Sequence, residues 1–393
     1  MSNGPLTWRR RMRERDPGEE HRASTPLELL FDLCFVVAVA QAAAELHHAL
    51  AENHLGAGLA GYVAVFFAIW WAWMNFTWFA SAYDTDDAPY RVLTLVQMAG
   101  VLVLAAGVPR AFEHYDFSIV VVGYVLMRIG LVAQWLRAAA AHPEGRPATL
   151  RYAVGILIVQ AGWIARLWAP GVWGWITFVV LAIAEMAVPA WAEFRGRATM
   201  WHPGHIAERY GLFTIIVLGE VILATLTAVQ SAFTEHGVSA PLIVVAVAAL
   251  ILVFAVWWIY FTGAQAHLRT LRIALTWGYG HFLVFGSIAA LGAGLEVAVD
   301  ALEHKAHVSE QAAALAVAVP VVVVLLVLAA LHRISGTGAV ARTAIVLAGA
   351  VLALLLAFSP PLFGLPVAIA GIAVVVAATL AANLTVLSSS DRP

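Results

Sequence analysis

Twelve apolar runs, each about 20 residues long, alternate with short polar stretches over most of the chain. A helix of about 20 apolar residues crosses a hydrocarbon core about 30 Å thick, so each run predicts a membrane span. The first six cover Glu28 to Leu50, Ala57 to Ala80, Val92 to Pro109, Phe117 to Ala140, Leu150 to Ala169 and Val172 to Trp191. The second six cover Ile206 to Val229, Pro241 to Phe261, Ile273 to Val299, Gln311 to Leu331, Ala339 to Phe358 and Leu365 to Leu387. Such runs are too long for barrel strands, and in lipid the backbone must satisfy its own polar groups within each segment. The expected fold is an all-α polytopic transmembrane helical bundle of about twelve spans.

Composition strengthens this picture. Of 393 residues, 62% are hydrophobic and 12% charged, whereas about a quarter of a soluble domain is charged. The net charge of −2 offers no basic surface for nucleic acid. The single cysteine, Cys34, lies inside an apolar run, which excludes a disulfide within the chain and a cysteine metal cluster. No cofactor motif is present, so the expected partners are the lipid bilayer and a small-molecule or proton ligand.

Residues 1–25 read as a basic cytoplasmic segment, and the apolar run that follows is too long for a signal-peptide core. Nearly all of the 22 basic residues fall in alternate loops; only Arg110, Arg166 and Lys305 lie on the other side, and Arg128 sits within a span. By the positive-inside rule both termini are cytoplasmic.

An internal repeat is visible. Phe67-Ala-Ile-Trp-Trp71 in the second span returns as Phe254-Ala-Val-Trp-Trp258 in the eighth, six spans later. An even separation makes the halves parallel, which predicts six-span repeats over 26–200 and 201–388. Nearly the same offset pairs Asp32 with Glu220 and Gln97 with His281.

Ionisable groups inside a bilayer are expensive and face a bundle interior or a site. Glu220 lies about 18 Å along its helix from Glu208, at 1.5 Å per residue. Asp32 and Glu220 are therefore expected in a polar cavity open to the cytoplasm, with Glu28, Gln97, Arg128, Glu208, Arg209 and His281 as binding or proton-coupling candidates. Simpler roles compete. Asp32 and Glu28 suit a positive helix N-terminus, a neutral His281 suits a backbone carbonyl, Gln97 suits an interhelical bond, and Arg128 is expected to pair with Glu185. Trp70, Trp71, Trp73, Trp257, Trp258 and Tyr260 are the expected aromatic lining. The last three spans, without an acid or base at depth, read as lipid-facing scaffold.

Asp84-Thr-Asp-Asp87 offers a second chemistry. Three adjacent carboxylates repel, which favours a retained proton or capture of a cation, and the spacing resembles the Asp-x-Asp-Asp acid of class II terpene cyclases. Under that alternative Asp84, Asp86 and Asp87 are catalytic and nearby aromatic faces shelter a cation. His202, His205 and Glu208 have a ligand-like spacing, but Pro203-Gly204 interrupts the shared face, and no metal site is expected.

The segments Pro26-Leu-Glu-Leu-Leu-Phe-Asp-Leu-Cys-Phe35, Trp78-Phe-Ala-Ser-Ala-Tyr-Asp-Thr-Asp-Asp87 and Glu208-Arg-Tyr-Gly-Leu-Phe-Thr-Ile-Ile-Val-Leu-Gly-Glu220 resemble signature stretches of the bacterial low-temperature-requirement A (LtrA) family. The resemblance runs from about Ser24 to the end of the chain. It implies a multi-pass protein of the bacterial cytoplasmic membrane, linked by name to growth in the cold, and it carries Glu28, Phe31, Asp32, Asp84, Asp86, Asp87, Glu208, Arg209, Gly219, Glu220 and His281. Where a second acidic loop is expected, the chain has Thr262-Gly263. The functional expectation is transporter-like handling of a small solute or proton. The alternatives are a membrane-embedded enzyme acting on an isoprenoid or other lipid, and a channel or sensor.

Overall fold

The computed structural model describes residues 8–16, 18–19, 22–194, 199–262, 268–336 and 340–390. Gly263, Arg195 and Arg197 lie outside the described residues. Those described form helices and connecting loops, as lipid demands of a chain this apolar. In order the helices are α1 (Pro26–Ala51), α2 (Leu55–Tyr83), α3 (Ala88–Glu113), α4 (Ser118–Ala141), α5 (Arg146–Ala165), α6 (Val172–Glu193) and α7 (Pro203–His236). Then come α8 (Ala240–Thr262), α9 (Leu271–Leu302), α10 (Glu310–Ile334), α11 (Val340–Leu356), the four-residue α12 (Pro360–Phe363) and α13 (Leu365–Ser390).

Eleven of these are long and apolar enough to cross a membrane. The remaining expected span is α11, described over 17 residues from Val340 to Leu356 and followed by Ser359-Pro360-Pro361. Local signals set other starts: Asp87 caps α3 by accepting from Tyr90 N, Thr270 caps α9 and Ser309 caps α10.

Packing divides the chain into two units. The first takes in the chain up to Gln41 and Val63–Arg209; the second takes in Ala42–Tyr62 and everything from Tyr210 onward. The boundaries therefore fall inside α1, α2 and α7, and Ala42–Tyr62 packs with the second unit although it lies in the first half of the sequence.

In the first unit α3 and α4 approach most closely through glycine. A Cβ on Gly123 would lie 2.5 Å from Gly100 O, and one on Gly100 would lie 2.8 Å from Met127 N, so backbone meets backbone. The same contact carries a polar rung, Gln97 Nε2 donating to Gln134 Oε1 at 2.9 Å while Gln134 Nε2 donates to Thr94 Oγ1 at 3.1 Å. Aromatic stacking fills the rest: Phe31 on Phe76 at 4.0 Å and Trp135 on Tyr152 at 4.2 Å. In the second unit α9 and α10 pack similarly, Gly294 lying against the backbone of Ala316, and Tyr62 OH donates to Gly286 O at 2.6 Å.

The last three helices are not wholly apolar. Arg342 at the start of α11 lies 3.4 Å from Asn383 of α13, and Gly349 packs on Thr379. The expected lipid-facing scaffold thus has a polar seam.

The α3–α4 contact predicts that Gly123→Ala forces the helices apart at a cost of about 1–3 kcal/mol. Thermal unfolding in detergent should show a lowered Tm, whereas Gly56→Ala, which meets open space, should leave it unchanged.

Candidate functional site

The first turn of α1 begins with a capping box. Thr25 N donates to Glu28 Oε2 at 2.8 Å and Glu28 N donates to Thr25 Oγ1 at 3.3 Å. This leaves Glu28 Oε1 to face α7, where His205 Nε2 lies at 3.1 Å and Arg209 Nη1 at 3.4 Å. One turn along α1, Asp32 Oδ1 accepts from Arg209 Nη2 at 2.5 Å and from Trp73 Nε1 of α2 at 2.7 Å. His205 and Arg209 share a face of α7 at i,i+4 spacing, as Glu28 and Asp32 do on α1. Arg209 therefore bridges two carboxylates, and three helices meet at one guanidinium.

The burial is complete. Glu28, Asp32, His205 and Arg209 are 1% exposed or less. Among the described residues, Asp32 Oδ2, Arg209 Nε and the hydroxyls of Thr77 and Tyr90 are buried without a hydrogen bond. Unused capacity of this kind is rare in folded proteins, where nearly every buried polar group is bonded.

Beneath the cluster lies the acidic loop. Asp84 is 3.9 Å from Arg22 Nη2, and Arg22 also donates to the carbonyls of Ala80 and Ser81. Arg91 grips Asp86 with two bonds, Nε at 2.7 Å and Nη2 at 2.9 Å. Asp87 accepts from Tyr90 N and Arg10 N, and Arg137 holds both its oxygens. The three carboxylates thus point to three different arginines. The basic N-terminal segment is folded across these helix ends: Arg15 N donates to Ala82 O at 2.9 Å, and Ser24 N to Glu208 Oε1 at 3.1 Å.

Charge is unevenly shared in this region. Glu28, Asp32 and Asp84 bring three carboxyls against the guanidiniums of Arg22 and Arg209, with Arg15 also acting on Asp84. In the loop, burial raises the Asp84 carboxyl to about 6, and the Glu28 charge adds to the rise against the pull of Arg22. Asp87 goes the other way: burial opposes its charge, but the Arg137 bonds outweigh it and hold the carboxyl below its ordinary range.

The remaining candidates are dispersed. Arg128 of α4 pairs with Glu185 of α6 at 3.3 Å, Tyr124 OH bonding to both. Trp70 and Trp71 are buried in the first unit. In the second unit both nitrogens of His281 are engaged, Nδ1 by Trp277 O at 2.8 Å and Nε2 by Tyr260 OH at 3.1 Å. Trp257 and Trp258 do not share the buried setting of their sequence counterparts; they are 44% and 50% exposed.

Glu220 is half-buried in the second unit, within electrostatic reach of Glu296. Near it is a group the sequence did not single out, His47 Nε2 at 2.7 Å from Asp300 and Nδ1 at 3.7 Å from Glu296. His202, expected at most as a ligand, accepts the His205 N–H at 3.0 Å and bonds Glu19 O at 2.9 Å. Trp73 as the partner of Asp32, and His205 as that of Glu28, carried no sequence signal beyond their type.

Residues 23–382, which include the whole cluster from α1 and α7, match the family described as bacterial low temperature requirement A protein. The chain belongs to the LtrA family. A similar curated protein, an uncharacterized protein of Rhizobium meliloti (strain 1021), is 31% identical over 299 residues, covering 70% of this chain and 69% of that one. This LtrA protein is thus a multi-pass membrane protein of a bacterial family, and its Glu28, Asp32, Glu208, Arg209 and Glu220 lie in the stretches that carry the resemblance.

Two outcomes follow for this LtrA chain. Arg209→Gln strands two buried carboxylates, and removing one partner of a buried pair costs about 3–5 kcal/mol, so the Tm should fall sharply. Because the folded Asp84 carboxyl titrates near 6 rather than its ordinary 3.8, the folded state holds this proton more tightly. Its stabilising contribution is full below about pH 4 and is lost as pH rises through about 6. Tm measured from pH 4 to 7 should lose that component in Asp84→Asn; an unaltered profile would remove Asp84 as its source.

Proposed function

We propose that this LtrA protein is transporter-like, moving a small solute with proton coupling, and that the Arg209 cluster is the coupling element of its first unit. The observation that carries the reading is one fully buried guanidinium divided between Glu28 and Asp32, with polar atoms beside it still unbonded. A proton on Asp32 cancels one of the two anions that hold Arg209. The bond between α1 and α7 then rests on Glu28 alone, and Trp73 of α2 faces a neutral carboxyl. A change of one proton thereby alters how three helices are tied, which is the requirement for coupling a proton to a conformational step.

Glu220 is the corresponding acid of the second unit, with Glu296, His47 and Asp300 as further titratable groups. The reading takes the chain as a parallel duplication with both termini cytoplasmic. The loop arginines support the orientation, and the glycine contacts of α3 with α4 and of α9 with α10 support the duplication. An acid built from Asp84, Asp86 and Asp87 has less support, since each carboxylate is engaged by its own arginine.

The test is charge movement by reconstituted protein on a solid-supported membrane, driven by pH steps across a panel of small organic anions, cations and neutral solutes. Asp32→Asn and Glu220→Gln should each cut solute-dependent, pH-driven current at least tenfold while membrane insertion survives. Currents equal to wild type in both variants would remove the coupling role.

A further inference from the structure

The first unit also holds a cation that its neighbours leave unbalanced. Arg166, in the 3-10 turn that extends α5, is 9% exposed. Its guanidinium carbon lies 4.9 Å from the centre of the Phe117 ring, 5.3 Å from Phe178 and 5.9 Å from Trp163. Nε donates to Gly174 O at 2.9 Å, and neither terminal nitrogen has a hydrogen bond among the described residues. No carboxylate among the described residues lies within 4.0 Å of it. Asp116, the acid in the same region, is held instead by Arg110 at 2.6 Å and by Ser118 N at 3.0 Å. Ring faces offset part of the cost of such a charge but leave the fork of the guanidinium free for an anion.

Arg166 lines a cleft of about 570 Å³ between the α3–α4 and α5–α6 connections, with Tyr115 and Ser118 on one side and Trp175 on the other. The rim of this cleft is apolar. Leu167 and Val172, which also line it, are exposed, as are Trp168 and Trp173 beside them. Exposed indoles where a span ends belong to the interfacial layer in which lipid headgroups lie. From the cleft an exposed apolar stripe runs along α6 through Val172, Ile176, Val179, Val180 and Ile183, spaced to share one helix face. Of the eleven helices long and apolar enough to cross a membrane, α6 is the least buried. At 1.5 Å per residue the stripe is about 16 Å long, near half of a hydrocarbon core about 30 Å thick, which is the depth of one leaflet.

Charge and stripe together specify the occupant. A phosphodiester carries one negative charge on two free oxygens that match the guanidinium fork, and an acyl chain matches an exposed apolar face. Free phosphate would leave the stripe bare, and an apolar partner helix would cover the stripe but leave the guanidinium unbalanced. We propose that Arg166 holds the phosphodiester of a glycerophospholipid in this cleft, with an acyl chain of that lipid laid along Val172 to Ile183 of α6. The site goes beyond the proton-coupling reading and stands whether or not Asp32 and Glu220 couple protons, since it is tested by binding alone.

The experiment is native mass spectrometry of the delipidated full-length protein in detergent. It is titrated with dioleoyl phosphatidylglycerol, with dioleoylglycerol, which has the chains without the phosphate, and with sodium phosphate, which has no chains. The first phosphatidylglycerol should bind at least tenfold more tightly than either control, and Arg166→Gln should weaken it at least tenfold. Should Arg166→Gln fail to fold, Ala169→Trp, which fills the cleft while keeping the charge, should weaken it by the same order. Absence of phosphatidylglycerol binding, equal binding of dioleoylglycerol or phosphate, a dimer that excludes the lipid, or wild-type affinity in either folded variant would overturn the proposal.

Discussion

A charge taken out of water must find an opposite charge or a set of hydrogen bonds, and in a chain this apolar that demand governs where helices can sit. Arg209 meets it by standing between Glu28 and Asp32, two carboxylates one turn apart on α1. Because the spacing on α1 matches the reach of one guanidinium, the pairing fixes the register of α7 against α1. Trp73 adds α2 through its indole N–H. The cluster is thus a structural joint, and under the proposed function it is also the place where a proton acts.

The same demand is met repeatedly in the first unit. Arg128 finds Glu185 and Tyr124, Asp87 finds Arg137, and Asp86 finds Arg91. Asp84 is the least well compensated of the loop acids, since Arg22 stands 3.9 Å away and shares its donors with two backbone carbonyls. Burial consequently raises its carboxyl, while at Asp87 the Arg137 bonds outweigh burial and hold the carboxyl below its ordinary range. Arg166 is the exception in the opposite sense, a cation whose neighbours are rings. The second unit relies more on neutral bonds, such as those of Tyr260 and Trp277 to His281.

The hydrophobic pattern alone established the class of fold. Runs of about 20 apolar residues leave the backbone no alternative to helices in lipid, so the helices were legible. Intramembrane charge was equally visible: Asp32, Arg128 and Glu220 stand out against apolar neighbours, and Glu185 was readable as a partner for Arg128 from depth.

What the sequence could not supply was the pairing between distant segments. Asp32 and Arg209 are 177 positions apart, and which guanidinium reaches which carboxylate depends on helix rotation and packing, not on periodicity. Identical Trp-Trp pairs show the limit well: Trp70 and Trp71 are buried while Trp257 and Trp258 are exposed, because burial is a property of what packs against a face. Arg166 read as a loop charge, and only the tertiary arrangement brought three aromatic rings and a cleft to it. Local chemistry and periodicity are written in the chain; the partner of a buried charge is chosen when the helices pack.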